Sequence, residues 1–291
     1  MAMPPTTNRQ TAWPALPAEK PDIRLLAIDL DDTLLTGELI ITPRAKSAIQ
    51  AARLQGVTVT LATGRMYRAA LPYAQELELD APLITYQGAL VSTPDGRIIS
   101  HQPLDQQLSV ELLDFILPLG YHVNVYIRDE FYIEKRSPEA ERYRAMIRTD
   151  FHEVPSLRAM MAGSADGATK IAIISDTGGI RELGEAIRAK FGQRVIAVPS
   201  KPTFLEINRP DTGKGVALAA LAAESGIDRR QVMAIGDSPN DLDMIEYAGW
   251  GVAVANGEET VREKARWVTA SNEDEGVAIA IEHLVLRSTI S

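Results

Sequence analysis

Short apolar runs that alternate with helical stretches constrain the fold of this chain more than any other feature of its sequence. Residues 23–28, 57–62 and 83–86 are such runs, and each is typical of a strand buried on both faces of a parallel sheet. Helical stretches separate them, and Thr42 and Pro43 mark the start of the first. Strand, helix, strand, helix, strand predicts an α/β fold with a doubly wound, Rossmann-like parallel sheet.

The same alternation returns after residue 200. It predicts a helix from Thr212 to Gly226, a strand at 232–235, a helix from about residue 239, a strand at 251–254 and a helix at 277–286. We therefore expect the two blocks to form one parallel sheet with helices on both faces.

The segment between these two blocks has a different pattern. Residues 89–92 and 97–100 flank a Pro-Asp-Gly turn, and residues 124–127 and 131–134 have the pattern of a second hairpin. Another strand is predicted at 170–174. Hairpins mixed with helices indicate an α+β domain that is inserted into the parallel core.

These patterns give the expected domain boundaries. The core occupies 22–86 and 200–291, and the inserted domain occupies 87–199.

Five of the 17 prolines lie in the first 21 residues, which opposes both helix and central strand. We predict that residues 1–21 are a disordered or loosely packed extension; a docking arm that uses Trp13 is the alternative.

Composition excludes several classes of function. The chain has no cysteine, so disulfides and thiolate chemistry are excluded, and a reducing cytoplasmic location is expected. A net charge of −9 disfavours nucleic acid as a partner. No apolar run approaches the ~20 residues that cross a bilayer, and the N-terminus lacks the apolar segment of a signal peptide, so no membrane partner is expected.

Two acidic motifs follow predicted strands. Residues 29–34 read DLDDTL directly after the first strand, and residues 236–241 read GDSPND after a later one. Ligands of open α/β sheets bind at the carboxyl ends of strands. If these strands are neighbours, four carboxylates converge at that edge, those of Asp29, Asp31, Asp237 and Asp241. For either motif alone, an acidic turn or a helix cap is the alternative.

Converging carboxylates need cations nearby. Two like charges ~4 Å apart repel by ~1 kcal/mol in bulk water and by ~4 kcal/mol near a protein surface. Lys214 supplies one positive charge. The remaining negative charge requires a hard divalent ion, and ligands that are all oxygen atoms indicate Mg²⁺. The four histidines show no zinc-type spacing, and a Gly-x-Ser-x-Gly motif is absent. A carboxylate nucleophile with Mg²⁺ is therefore the most economical chemistry.

Two further motifs have groups that can hold a phosphate. Residues 62–65 read ATGR at the end of the second strand, where a hydroxyl and backbone N–H groups meet a helix start. Residues 212–215 read TGKG but do not form a Walker A loop, since position 208 is Asn. A plain turn and a solvated lysine are the alternatives for the two motifs. A lysine opposes the positive end of a helix dipole, which makes a bound anion there more plausible.

Together, the four motifs resemble those of the haloacid dehalogenase superfamily, specifically its Cof-like sugar-phosphatase branch with a large α/β cap. They occur in the family's order, and the resemblance covers about residues 22–291. It implies that the inserted domain is a cap that closes over the site, excludes water and selects the leaving group. Gln87 stands where relatives often have Asn; it keeps the amide and lengthens its reach.

The resemblance also implies a role for each motif. Asp29 would attack phosphorus and form an aspartyl phosphate, while Asp31 would protonate the leaving oxygen and then deprotonate water. Mg²⁺ would be held by Asp29, the backbone carbonyl of Asp31 and Asp237, with Asp241 close by. The phosphoryl oxygens would be held by Thr63, Gly64, Lys214 and Asn240.

The predicted function is a Mg²⁺-dependent phosphomonoester hydrolase that acts on a small phosphorylated metabolite, either a sugar phosphate or a nucleotide-related compound. A monomer or a small homo-oligomer is expected. A phosphotransferase or phosphomutase with the same aspartyl phosphate is one alternative. A non-catalytic metabolite-binding protein is another, although it would not need Asp31.

Overall fold

The structure, a computed structural model, describes residues 20–175 and 178–286. Its strands are β1 (Leu25–Ile28), β2 (Thr58–Leu61), β3 (Leu83–Thr85), β4 (Leu90–Ser92), β5 (Ile98–His101), β6 (His122–Ile127), β7 (Glu130–Ile133), β8 (His152–Glu153), β9 (Lys170–Ile174), β10 (Ile196–Lys201), β11 (Phe204–Asn208), β12 (Val232–Gly236), β13 (Trp250–Ala253) and β14 (Trp267–Val268). Its α-helices are α1 (Pro43–Leu54), α2 (Tyr67–Glu76), α3 (Gln106–Ile116), α4 (Pro138–Ile147), α5 (Leu157–Ala162), α6 (Ile180–Phe191), α7 (Lys214–Glu224), α8 (Leu242–Tyr247), α9 (Glu259–Lys264) and α10 (Gly276–Ile281).

A parallel sheet forms the centre of the core, in the order β14-β13-β12-β1-β2. Every residue of β1 is buried. Leu26 packs on the side of α1 and α10, while Leu25 packs against α7 and α8 on the opposite face. Each fully buried aliphatic side chain of this kind stabilises the fold by about 1.5–3 kcal/mol. The predicted doubly wound α/β core is confirmed.

The first helix begins where its cap signals predict. The side chain of Thr42 accepts a hydrogen bond from the N–H of Ala45 at 3.2 Å, and Pro43 occupies the first turn. A cap of this kind stabilises a helix by about 1 kcal/mol. Ala48 and Ile49 lie on its buried face, so α1 covers the sheet and places β2 beside β1.

The hairpin predicted after residue 88 belongs to the core side of the molecule. β4 pairs antiparallel with both β3 and β5. Ile84 of β3 also forms a parallel bridge with Ala62, directly after β2. The hairpin therefore continues the edge of the core sheet, although the predicted cap boundary at residue 87 assigns it to the inserted domain.

A second, six-stranded sheet has the order β10-β11-β9-β6-β7-β8. The predicted hairpin of β6 and β7 is present, and β9 lies next to β6. Helices α3, α5 and α6 pack on one face of this sheet, while α4 lies on the other face, towards the core. The hairpin of β10 and β11 crosses the predicted boundary at residue 199, so the sheets favour a cap between His101 and Arg209.

The structure describes little of the N-terminal extension. The predicted extension at 1–21 lies outside the described residues, except for Lys20 and Pro21, of which Pro21 is buried. Within the ranges that the structure describes, no helix combines the length and the apolar character that crossing a membrane requires.

Candidate active site

The predicted motifs lie together at the carboxyl edge of the parallel sheet. Asp29 follows β1, and its N–H donates to the carbonyl oxygen of Ile235 in β12 at 3.0 Å. Asp237 follows β12, and Thr63 follows β2 with its N–H bonded to the carbonyl oxygen of Ile84 at 2.8 Å. The in-register pairing of β2, β1 and β12 therefore brings side chains that are about 200 residues apart in sequence into one site.

Three of the four predicted carboxylates form a cluster. Asp29, Asp237 and Asp241 each offer an oxygen, and these oxygens all lie within 4.8 Å of one another. Asp241 is held by the N–H groups of Asp237 and Ser238, which both donate to its Oδ2 at 3.1 Å. Thr33 donates from Oγ1 to Oδ1 of Asp237 at 3.0 Å. The cluster is therefore fixed by bonds from its own loops.

The charge in this cluster is unbalanced. Burial raises the pKa of Asp29 well above its usual range, although Lys214 opposes this, and the charges of Asp241 and Asp237 raise it further. Burial, followed by the charge of Asp241, raises the pKa of Asp237 to about 7. A cation among these oxygens would favour the ionised forms. Because every donor is a hard oxygen, the set fits Mg²⁺.

Lys214 lies behind Asp29 at the start of α7. Its Nζ donates to Oδ1 of Asp29 and to Oδ1 of Asp241, both at 2.6 Å, and its side chain is fully buried. Burial alone would lower the pKa of Lys214, but the carboxylates of Asp241 and Asp29 raise it. Lys214 is therefore a permanent cation that fixes the orientation of Asp29.

Asp31 lies apart from the cluster and is held by Arg65. The guanidinium donates from Nη2 to Oδ1 of Asp31 at 2.6 Å and from Nε to Oδ2 at 2.8 Å. Arg65 is buried against the ring of Tyr73. Each oxygen of Asp31 therefore accepts a bond from Arg65, which holds this carboxylate apart from the other three.

The loop after β2 has a close neighbour in Gln87. A Cβ on Gly64 would lie 2.4 Å from Nε2 of Gln87, so a larger residue here would displace the amide of Gln87. Gln87 donates from Nε2 to Oε2 of Glu206, a cap residue, at 2.8 Å. Its Oε1 is buried and has no hydrogen-bond partner within the described part of the chain. An acceptor in this state favours a donor group on a ligand.

A cavity of about 300 Å³ lies between the core and the cap. The core contributes Asp29, Asp31, Thr63, Gly64, Asp237 and Asn240 to its lining. The cap contributes a largely apolar wall with one carboxylate, formed by Tyr143, Met146, Ile147, Pro202, Phe204 and Glu206. Asn240 is oriented by Ser238, whose Oγ donates to its Oδ1. Six predicted site residues therefore line one cavity, and Lys214 and Asp241 lie directly behind Asp29.

Two polar cap residues of the hairpin of β6 and β7 do not line this cavity. Tyr126 is fully buried and donates to the hydroxyl of Tyr143 at 2.7 Å. Arg128 is exposed and pairs with Asp166 at 2.5 Å. Tyr126 therefore belongs to the packed interior of the cap, and Arg128 forms a solvated ion pair.

Three charged residues near the cavity had no assigned role in the sequence analysis. They are Arg65, Lys170 and Glu206. The signal for Lys170 was a lysine at the start of the otherwise apolar run of β9, because a buried charge requires a partner. The partner could not be read from the sequence, since Glu206 lies 36 residues away on another strand.

Comparison with known proteins identifies the class. The family model described as haloacid dehalogenase-like hydrolase matches residues 26–281. The chain therefore belongs to the haloacid dehalogenase-like hydrolase family, and the predicted Cof-like branch is confirmed. Fold and relatives together define an enzyme, a phosphatase of the haloacid dehalogenase type.

Relatives of this chain are similar over nearly their whole length. The 5-amino-6-(5-phospho-D-ribitylamino)uracil phosphatase YitU of Bacillus subtilis is 32% identical over 260 residues, which span 87% of this chain and 94% of that protein. The phosphatase YwtE of the same organism, named for the same substrate, is 29% identical over 90% of this chain and 98% of its own. The crystal structure of TM0651 from Thermotoga maritima has a TM-score of 0.79 at 30% identity and covers 92% of this chain and 98% of that one.

Proposed function

We propose that this phosphatase is a Mg²⁺-dependent phosphomonoester hydrolase that works through an aspartyl phosphate on Asp29. The groups that surround Asp29 give the main support for this function. Its buried carboxylate is oriented by Lys214 at 2.6 Å, lies in a cluster with Asp237 and Asp241, and shares a cavity with Asp31. A binding protein would need neither an oriented nucleophile nor a second carboxylate on the same cavity.

The chain's own residues account for both halves of the reaction. An oxygen of Asp29 attacks phosphorus, the P–O bond to the leaving group breaks, and Asp31 donates a proton to the departing oxygen. Asp31 then takes a proton from water as the water attacks phosphorus, which releases inorganic phosphate and regenerates Asp29. When bound at Asp29, Asp237 and the carbonyl of Asp31, Mg²⁺ supplies positive charge to the phosphoryl oxygens.

Groups around the cavity would hold the transferred phosphoryl group. Thr63, Gly64 and Asn240 line the cavity beside Asp29, and Lys214 adds a positive charge from behind it. Such donors stabilise the charge that spreads over the equatorial oxygens during transfer. Loss of one donor of this type costs about 10²–10³ in rate.

The leaving group would lie against the cap wall. Tyr143 and Phe204 offer apolar and aromatic surface to it, while Oε1 of Gln87 offers a buried acceptor to a hydroxyl or amine. This combination suits a small phosphorylated metabolite with hydroxyl groups and a planar or apolar part. Sugar phosphates and nucleotide-related phosphates are such compounds, and the substrate for which the two Bacillus relatives are named has both features. Hydrolysis rates measured for a panel of phosphate esters would identify the preferred class of substrate.

Replacement of Asp29 tests the proposal directly. Asp29→Asn removes the nucleophile with little change in shape, and we expect hydrolysis of an aryl phosphate with Mg²⁺ to fall by at least about 10³-fold. Asp32→Asn is the matched control, since Asp32 lies in the same loop with φ of 59°, a conformation that Asn also tolerates. We expect this control to keep most of the activity. Undiminished hydrolysis by Asp29→Asn would refute the proposal.

A further inference from the structure

The segment at residues 63–68 runs from the end of β2 into the first turn of α2. It carries several groups of the site. Thr63 and Gly64 line the cavity, and Arg65 holds Asp31. The N–H of Arg65 donates to Oγ1 of Thr63 at 3.1 Å, which fixes one side of the peptide between Gly64 and Arg65. The position of Asp31 therefore depends on the conformation of this short segment.

A buried lysine of the cap fixes the other side of that peptide. Lys170, the first residue of β9, donates from Nζ to the carbonyl oxygen of Gly64 at 2.8 Å and to Oε1 of Glu206 at 2.9 Å. It is fully buried, and its Nζ lies 4.9 Å from the ring centroid of Tyr126. Burial alone would lower the pKa of Lys170, but the Glu206 carboxylate raises it. The Gly64 carbonyl therefore receives a charge-assisted hydrogen bond away from water.

A cap carboxylate holds the far end of the same segment. Asp129, in the turn between β6 and β7, accepts from the N–H groups of Tyr67 and Arg68 at 2.8 and 3.0 Å. These are the first N–H groups of α2, whose own cap residue Met66 makes no side-chain hydrogen bond. The carboxylate of Asp129 thus caps a core helix from another domain, where the helix dipole favours a negative charge. The hydroxyl of Tyr86 fixes Asp129 through a bond of 2.8 Å.

We infer that Lys170 and Asp129 are positioning residues, through which the cap holds the 63–68 segment in the geometry that the reaction needs. Each contributes the opposite charge to the backbone group it meets: an ammonium to a carbonyl oxygen, and a carboxylate to N–H groups. The inference rests on the proposed function, because it takes the segment to hold the phosphoryl group and to orient Asp31 through Arg65. It adds that a docked cap assembles the site as well as enclosing it.

Replacement of Lys170 tests the first contact. Lys170→Met keeps the length and apolar stem of the side chain but removes the bond to Gly64. We expect kcat for an aryl phosphate to fall by about 10²-fold while KM changes by less than about three-fold, because orientation is lost and the binding surface remains. Lys190→Met, an exposed cap lysine beside Phe115, is the matched control and should leave both constants unchanged. A wild-type kcat in Lys170→Met would overturn the inference.

A double variant separates the bond to Gly64 from the stray charge that Lys170→Met leaves on Glu206. Lys170→Met/Glu206→Gln removes that charge but does not restore the donor to the Gly64 carbonyl. We expect kcat to stay about 10²-fold below that of Glu206→Gln alone. If the double variant instead matches Glu206→Gln, Lys170 only neutralises Glu206, and the inference is wrong.

Amide hydrogen exchange gives a readout that needs no activity. We expect Lys170→Met and Asp129→Asn each to accelerate exchange of the amides of residues 63–68, by about ten-fold for the loss of a charge-assisted bond. Asp166→Asn, which changes a half-exposed cap carboxylate paired with Arg128, is the matched control for Asp129→Asn. Unchanged exchange in both variants would overturn the inference, whereas absence of phosphatase turnover in the wild type would overturn only the proposed function.

Discussion

At the scale of single residues, an excess of negative charge governs the site. Asp29, Asp237 and Asp241 share one buried cluster, and Lys214 is the cation bonded to two of them. Burial and mutual repulsion therefore raise the pKa of Asp29 and of Asp237, the latter to about 7. The same repulsion that makes the cluster costly to fold would be relieved by a bound divalent cation.

The raised pKa of Asp237 predicts how stability depends on pH in the metal-free protein. The folded state keeps a proton on this carboxyl up to about pH 7, whereas the unfolded state releases it near 3.8. Since the folded state binds more protons in that window, its free energy of unfolding should fall as pH rises from about 4 to about 7. The contribution is on the order of 2–4 kcal/mol.

Urea unfolding in the presence of a chelator would measure this dependence. Asp237→Asn removes the titrating group, so its free energy of unfolding should fall less over the same pH window than that of the wild type. Asp80→Asn changes a carboxylate whose side chain is 90% exposed and should keep the wild-type dependence. Identical slopes for Asp237→Asn and the wild type would contradict the raised pKa.

Some contacts of the site could be predicted from the sequence, and others could not. Motifs directly after apolar strands predicted that Asp29 and Asp237 would meet, because the register of a parallel sheet places strand ends side by side. The bond of Arg65 to Asp31 joins loops 34 residues apart, and the bond of Lys170 to Gly64 joins two domains across 106 residues. Local patterns do not specify such pairs, since the first depends on how two loops of the core fold together and the second on how the cap lies on the core.

At the scale of elements, apolar runs predicted β1, β2, β12 and β13 of the parallel sheet, whereas β14 and the antiparallel hairpin of β10 and β11 were not predicted. The run at 83–86, expected to be a parallel strand, pairs antiparallel with β4. The hairpin of β10 and β11 lies where the core was expected to resume. In β11, the alternation of Phe204, Leu205, Glu206 and Ile207 is typical of a strand with two different faces. One face packs in the cap core and the other lines the cavity beside Asp29, so this alternation indicates a strand that faces both.

A glycine between elements gives a prediction about packing. Gly88 follows β3 with φ of 88°, and a Cβ there would lie 2.2 Å from the carbonyl oxygen of Gly213, next to the first turn of α7. We expect Gly88→Ala to destabilise the protein by at least about 3 kcal/mol, through strain and displacement of α7. Activity should fall too, because α7 begins at Lys214.

Gly96→Ala provides the matched comparison for that packing effect. Gly96 has φ of 90°, but nothing lies within 4 Å of the position of its Cβ. Only the backbone strain remains, which costs about 1–2 kcal/mol, and activity should not change. Urea unfolding of the two variants measures the difference, and equal losses of stability would contradict the close approach at Gly88.

At the scale of the whole molecule, the cap and the core jointly line the cavity beside Asp29. An apolar cluster continues from Met66 and Tyr86 of the core into Tyr126, Phe131 and Tyr143 of the cap. The change from alternating strands and helices to hairpins predicted two domains, the core and the cap. Their contact surface was not predictable, because its apolar residues look like ordinary core residues of either part.

If Asp29 carries the phosphoryl group during turnover, mass spectrometry of a trapped enzyme will detect that group on its carboxylate. Asp31→Asn should still form the intermediate from an aryl phosphate, whose leaving group needs little protonation, but should hydrolyse it slowly for lack of a base. After acid quench and digestion, we predict one phosphoryl group on Asp29, in proportion to the phenol released in the first turnover. An unmodified Asp29 during continued phenol release would contradict the account.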